Sequence, residues 1–88
     1  MDTKTVIKFY ATWCGPCTVY AKTWDEVTSK LGEDYEIHNV DIDKDTSGLA
    51  AKYKVMNVPT TVVVNQLGEV KKEVGRLTSQ QLTQLIQS

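Results

Sequence analysis

The sequence has few metal-binding side chains, almost no net charge and only short apolar runs, which argues against several functional classes. Its two cysteines supply only two of the usual four ligands of a closed zinc site, and the single histidine, His38, falls in a predicted strand. The net charge of −1 gives no field that would attract nucleic acid or an anionic membrane. No apolar run approaches the roughly 18 residues of a membrane-spanning helix. We therefore expect no metal site, no nucleic-acid binding and no membrane insertion.

The sequence also lacks the features of an exported protein. The residues after Met1 lead directly into a predicted strand, without the apolar region and cleavage site of a signal peptide. We therefore expect a cytoplasmic protein, in a compartment where static disulfides are rare. Because 88 residues leave room for only one hydrophobic core, residues 1–88 are expected to form a single domain.

The order of apolar and turn-forming segments predicts an α/β fold. Residues 60–64 carry the strongest strand signal, and a turn at residues 65–68 joins them to the next strand as a hairpin. Thr78 and Gln81 have the spacing of a capping box at the start of the last helix. The predicted order is β-α-β-α-β-β-α, which folds most simply into a four-stranded mixed sheet with helices on both faces. The predicted strands are residues 6–11, 35–42, 60–64 and 70–74. The predicted helices are residues 16–31, a short helix that residues 45–47 cap and that runs to about residue 53, and a last helix from 78 onward.

Both cysteines lie in Trp13-Cys14-Gly15-Pro16-Cys17, where the first predicted strand gives way to the first helix. A disulfide across so short a loop restricts little of the unfolded chain, so the spacing favours reversible electron exchange over a structural role. Cys14 lies where the unpaired N–H groups and dipole of a helix lower the pKa of a thiol. We predict that Cys14 attacks a substrate disulfide and that Cys17 resolves the mixed disulfide. Gly15 allows a partner backbone to approach, and Pro16 stiffens the loop.

This motif, after a strand that reads Phe9-Tyr10-Ala11, resembles the thioredoxin family. The resemblance extends over about residues 5–87 through further segments in the family's order, among them Val40-Asp41-Ile42-Asp43, Val58-Pro59-Thr60, Gly68-Glu69-Val70 and Val74-Gly75. It implies that Pro59 is a cis-proline facing the disulfide and that Val58 offers backbone groups to an extended substrate. It also implies an apolar surface that contacts substrates, here called the docking surface, formed by Trp13, Gly15, Pro16, Val58, Pro59 and Gly75.

The resemblance further implies a dithiol reductant of protein disulfides whose only redox group is the reversible Cys14–Cys17 disulfide. NADPH would supply electrons indirectly, through a thioredoxin-reductase-like flavoenzyme, and we expect the chain to be a monomer. Two alternatives stay open. One is a glutaredoxin-like enzyme served by glutathione, which a Cys-Pro-Tyr-Cys centre would favour and Gly15-Pro16 does not. The other is a binding module in which redox chemistry is incidental.

The sequence departs from the family in three places. Lys22 stands where the family often has a proline that kinks the active-site helix, so this helix is expected to be straighter. The strand–helix unit that usually precedes the cysteine-bearing strand is missing, so the strand at residues 35–42 is expected at a sheet edge, in a short form closer to glutaredoxins. Lys8 takes the position of the family's buried acidic residue, and Asn39 corresponds to that residue's usual lysine partner. An ammonium at Lys8 would favour thiolates and make the couple more oxidising. Alternatively, the Lys8 stem passes through apolar surroundings to solvent.

Overall fold

The computed structural model describes residues 3–88, in which four β-strands and three α-helices follow the predicted order. A single 3₁₀ turn, Ile42–Lys44, separates the second strand from the second helix. The elements are β1 Lys4–Tyr10, α1 Gly15–Thr28, β2 Tyr35–Asp41, α2 Leu49–Lys52, β3 Thr60–Val64, β4 Val70–Val74 and α3 Ser79–Gln87.

The strands form one mixed sheet in the order β2-β1-β3-β4. Strands β1 and β2 are parallel, while β3 runs antiparallel to both of its neighbours, β1 and β4. The prediction that β2 lies at an edge of the sheet is confirmed. Lys8 of β1 is paired with Asn39 of β2. Because β1 is an inner strand, its carboxyl end brings the cysteine motif to the middle of one end of the sheet.

Alternate residues of β1 and β3 supply a core on each face of the sheet. Val6 and Val63 pack against α1 and α3, whereas Ile7, Phe9 and Val62 pack on the face that α2 covers. The larger side chains are on the α1–α3 face: Tyr20, Trp24, Val27, Leu82 and Ile86. Helices therefore cover both faces, as the apolar pattern predicts, and the Tyr20 and Trp24 side chains belong to the core.

Helix α1 ends one turn earlier than the apolar spacing predicts. It stops at Thr28, and Ser29 closes it by donating its N–H to the carbonyl oxygen of Asp25 at 3.0 Å. Leu31 lies in the turn that follows, yet its side chain still packs against the α1–α3 core. The apolar pattern thus records which side chains are buried, while the hydrogen bonds set where the helix ends.

Helix α2 is capped by Asp45, one of the predicted capping residues 45–47, although its first helical residue is only Leu49. The Asp45 carboxylate accepts hydrogen bonds from the backbone N–H groups of Leu49 at 3.1 Å and Ala50 at 2.7 Å. Gly48 occupies the N-cap position with a left-handed φ of 72° and has no side chain to contribute. Asp45 therefore satisfies the first N–H groups of the helix without being adjacent to it.

The last helix begins as predicted. The Gln81 N–H donates to the Thr78 hydroxyl oxygen at 3.1 Å, and the Thr78 N–H donates to the Gln81 side-chain oxygen at 2.9 Å. This reciprocal pair is the capping box that the spacing indicates. Within residues 3–88, no helix combines the length and apolar content needed to cross a membrane.

A buried pair of hydroxyl groups joins α1 to the sheet beneath the cysteine motif. The hydroxyl oxygens of Tyr20 and Thr61 are 2.7 Å apart, and both residues are almost fully buried. Burial raises the pKa of Tyr20, and the hydrogen bond with Thr61 offsets part of that effect. Tyr20 therefore stays protonated at neutral pH, and each hydroxyl is the other's hydrogen-bond partner.

We expect Tyr20→Phe and Thr61→Val each to lower the free energy of unfolding by about 1–2 kcal/mol, because each leaves one buried hydroxyl unpaired. The double variant should lose less than the sum of the two, since it leaves no polar group unsatisfied. Denaturant titrations of the oxidised protein measure these values. Tyr35→Phe, at a partly buried tyrosine, serves as the control and should change stability little. Additive losses in the double variant would contradict the pairing.

Candidate active site

Cys14 is the N-cap residue of α1. Its backbone is extended, with φ of −90° and ψ of 109°, and its N–H donates to the carbonyl oxygen of Ala11 at 3.2 Å. The N–H of Cys17 donates to the Cys14 sulfur at 3.2 Å. Pro16 lies in the first turn, where the N–H that it lacks would have no partner inside the helix. The motif therefore places one sulfur where helix N–H groups converge.

Cys14 and Cys17 form a disulfide, with their Cα atoms 5.3 Å apart. Both side chains are nearly buried, with exposed fractions of 6% for Cys14 and 3% for Cys17. Ala11 belongs to the same buried cluster, and Tyr10, Ile42 and Val58 pack against it. Cys17 is the deeper residue, as predicted, but the difference is small. What separates the two sulfurs is the N–H that points at Cys14.

The Val58–Pro59 peptide bond is cis, the isomer that the family resemblance implies. The Val58 carbonyl oxygen is 3.7 Å from the Cys14 sulfur, so this segment lies directly against the disulfide. Val58 is half-buried, but Pro59 is almost fully buried. The predicted docking surface therefore presents Val58 to solvent, while the Pro59 ring packs behind it.

Gly75 anchors the other side of this segment. Its N–H donates to the Pro59 carbonyl oxygen at 2.8 Å, which ties the end of β4 to the cis-proline. Its φ of 99° lies in the region that favours glycine, so a side chain at this position would strain the backbone. The sequence therefore needs glycine here for the conformation that holds Pro59 in place.

Trp13 is the most exposed aromatic residue near the disulfide, with 68% of its surface accessible. Its indole Nε1–H donates to Asp43 Oδ2 at 2.8 Å. Asp41 and Asp45 accept hydrogen bonds from backbone N–H groups at the end of β2 and at the start of α2. The bond that holds the Trp13 ring was missed, because no local pattern links two residues that are 30 positions apart.

Gly15 and Pro16 complete the exposed part of the motif. A Cβ atom added at Gly15 would have no neighbour within 4 Å, so the space above this residue is open. Gly15 therefore has no packing reason to lack a side chain. The open space is consistent with the predicted approach of a partner backbone.

Lys8 lies on β1, on the face that α1 covers, six residues before Cys14 in the sequence. Its side chain is 7% exposed, and its Nζ is 5.4 Å from the centroid of the Tyr10 ring and 5.6 Å from that of the Trp24 ring. Burial lowers the pKa of Lys8, and the nearby Asp25 carboxylate acts in the opposite direction. The Tyr10 side chain also packs against the buried cluster of Ala11, Cys14 and Cys17, so the Lys8 ammonium lies between this cluster and the Trp24 end of the core.

The remaining candidate ligand, His38, is half-exposed on β2 and lies 3.3 Å from a Glu36 carboxylate oxygen. In the described part of the chain, no group of three or more His, Cys, Asp or Glu side chains is arranged to hold a metal ion.

Comparisons with known proteins agree on one family. The family model described as Thioredoxin matches residues 1–88. Chloroplastic thioredoxin Y of Oryza sativa subsp. japonica is 35% identical over 83 residues, which are 94% of this chain and 49% of that protein. Thioredoxin of Staphylococcus aureus is 35% identical over 81 residues, covering 92% of this chain and 77% of that protein. The chain thus spans about half the length of the rice protein.

Among solved structures, one described as a malarial protein matches with a TM-score of 0.84 and 28% sequence identity. The match covers 98% of this chain and 96% of that one. Its chain is therefore almost as short as the one described here.

The buried Lys8 gives a prediction for stability as a function of pH. Because the pKa of Lys8 is lower in the folded than in the unfolded chain, the unfolded chain binds more protons between that lowered value and the ordinary 10.5. Lys8 therefore opposes folding while it is protonated, and stability rises with pH across that window. We expect Lys8→Met to raise the free energy of unfolding at pH 7, with the advantage shrinking as pH approaches 10.5.

Denaturant titrations of the oxidised protein between neutral and alkaline pH measure this effect. Lys22→Met, at an exposed position on α1, is the matched control and should show no such pH-dependent advantage. An advantage of Lys8→Met that is the same at every pH would contradict the assignment to a titrating ammonium.

Proposed function

The chain belongs to the thioredoxin family of thiol–disulfide oxidoreductases, and we propose that it reduces protein disulfides, with Cys14 as the attacking and Cys17 as the resolving thiol. The observation that supports these roles best is the 3.2 Å contact in which the Cys17 N–H donates to the Cys14 sulfur. In the reduced protein this N–H and the helix dipole would stabilise the Cys14 thiolate. Lowering the pKa of a thiol by one unit requires about 1.4 kcal/mol, which is within reach of these two effects.

The proposed reaction transfers two electrons in two exchange steps. The Cys14 thiolate attacks one sulfur of the substrate disulfide, a mixed disulfide forms, and the other substrate sulfur leaves as a thiolate that takes up a proton. Cys17 then loses its proton and attacks the Cys14 sulfur, which releases the second substrate thiolate. The substrate is reduced, and the protein is left with the Cys14–Cys17 disulfide that the structure contains.

We propose that substrates bind across the docking surface as extended segments. Trp13, Gly15 and Pro16 are exposed beside the disulfide, and the half-buried Val58 lies on its other side. Pro59 and Gly75 act behind this surface, since Pro59 is buried and the Gly75 N–H holds its carbonyl group. Aromatic and apolar side chains with an open glycine suit partners of varied sequence, because the main contacts are with backbone and sulfur.

The proposed cellular setting follows the family. Electrons come from NADPH through a thioredoxin-reductase-like flavoenzyme, and no cofactor is bound. Residues 1–88 act as a single domain and a monomer in the cytoplasm, without contact with nucleic acid or membrane.

For Lys8 we propose a modest influence on the redox couple together with the loss of the family's carboxylate base. For a separation on the order of 10 Å and an effective dielectric constant of about 20, a protonated Lys8 would stabilise a thiolate by roughly 1–2 kcal/mol, and by under ~0.5 kcal/mol where water screens the pair. The upper value corresponds to about 40 mV in the two-electron couple. With Lys8 in place of that carboxylate, water or the departing substrate thiolate would take the proton from Cys17.

Cysteine variants test the proposed roles in an insulin-reduction assay with dithiothreitol as electron donor. Cys14→Ser should lose all turnover and form no adduct with substrate. Cys17→Ser should also lose turnover but accumulate a mixed disulfide with substrate, which mass spectrometry detects. Adducts that form only with Cys14→Ser would reverse the roles of the two cysteines.

The same assay separates the alternatives. Turnover with glutathione and glutathione reductase, but not with a thioredoxin reductase, would favour the glutaredoxin-like enzyme. No turnover with any reductant, together with partner binding unaffected by Cys14→Ser, would favour the binding module.

The role of Lys8 is tested with Lys8→Met and Lys8→Asp. Equilibrium titration against glutathione should show the Met variant to be more reducing by at most about 40 mV, because a positive charge is lost. The Asp variant should be more reducing still and have a higher Cys17 pKa. Identical potentials and thiol pKa values in all three proteins would contradict any electrostatic role for Lys8.

A further inference from the structure

A groove beside the docking surface is formed by α1 and the segment that joins β4 to α3. Its volume is about 300 Å³, and its lining residues are Val19, Tyr20, Thr23, Arg76, Leu77 and Thr78, here called the Arg76 groove. This volume is at the lower limit of small-molecule sites, so it suits one side chain of a bound polypeptide better than a separate ligand.

The Arg76 groove adjoins the disulfide through the chain itself. Arg76 directly follows Gly75, whose N–H donates to the Pro59 carbonyl oxygen at 2.8 Å. On the other wall, Val19 lies two residues beyond Cys17 and is half-exposed. An extended substrate segment that pairs with the Val58 backbone and crosses the disulfide toward β4 would therefore reach the Arg76 groove.

The Arg76 guanidinium is free to bind a partner. The side chain is exposed, and it makes no hydrogen bond or ion pair with any residue from 3 to 88. The lining of the groove contains no carboxylate, and the Thr23 and Thr78 side chains add hydroxyl groups beside the guanidinium. A guanidinium with all its donors unpaired binds a carboxylate in a bidentate manner.

The opposite side of the docking surface carries the opposite charge. Trp13 is held by Asp43 at the β2 edge, where Asp41 and Asp45 flank the single ammonium of Lys44. Gly75 and Arg76 follow β4, at the other edge of the sheet. The surface around the disulfide is thus negative toward β2 and positive toward β4.

We propose that Arg76 is a specificity-determining residue, which selects disulfide substrates with an acidic residue near the reacting cysteine, on the side that lies over β4. This inference rests on the proposed function and adds the class of substrate to it. The acidic side chain enters the Arg76 groove and pairs with the guanidinium while Cys14 attacks the substrate sulfur.

The test uses short peptides whose one cysteine carries a thionitrobenzoate disulfide. Attack of reduced protein on the peptide sulfur releases thionitrobenzoate, the better leaving group, and its absorbance gives a second-order rate constant. Matched peptides carry Glu or Gln at positions two to four from the cysteine, on either side. Partly exposed ion pairs of this kind predict a Glu/Gln rate ratio of about two to five at one or more positions, falling as ionic strength rises.

The ratio should fall to about one in Arg76→Gln and below one in Arg76→Glu. Lys30→Glu, the same charge change at an exposed position beyond the far end of α1, is the control and should keep the wild-type ratio. A wild-type ratio of one at every position, or a preference for Glu that persists in Arg76→Gln, would overturn the inference and leave the proposed function intact. Absence of release with both peptides would instead contradict the proposed function.

Discussion

The hydrogen bond from the Cys17 N–H to the Cys14 sulfur is the interaction on which the active site depends. The first turn of any helix leaves N–H groups without partners, and here a sulfur takes the place of the usual oxygen cap. The hydrogen bond that caps α1 therefore also distinguishes the Cys14 sulfur from the Cys17 sulfur. Strand β1 leads into this helix and pairs with β3, the strand that begins directly after Pro59. The junction therefore places the sulfurs beside Val58.

Below this junction the α1 face contains polar groups where an apolar core would be simpler. Tyr20 and Thr61 satisfy each other, so they can be buried at little net cost. Within residues 3–88 Lys8 has no hydrogen-bond partner; its ammonium lies against two aromatic rings, and the Asp25 carboxylate favours its charged form. The two sites differ in consequence: the hydroxyl pair joins α1 to the sheet, whereas the buried ammonium of Lys8 opposes folding while it is protonated.

The sequence determined the elements, their order and the position of the chemistry. Strong local signals were sufficient for this: the β-branched run of residues 60–64, the capping box at Thr78 and Gln81, and two cysteines with helix spacing. Each of these signals involves only a few neighbouring residues, so it can be recognised without knowledge of the fold. Element ends were less accurate, as at Leu31 and Asp45, because side-chain burial and capping reach beyond the hydrogen-bonded helix.

Only the tertiary structure decided which distant residues meet at the site. Asp43 holds Trp13, Thr61 pairs with Tyr20, Gly75 ties down Pro59, and Arg76 lies in the adjacent groove, each across 15 or more positions of sequence. Such pairs produce no periodic pattern in the sequence, because the strand order and register of the folded sheet decide which residues meet. The sequence thus identified two sulfurs able to exchange electrons, while the folded sheet set the charges and surfaces around them, since only folding brings those groups within hydrogen-bond distance.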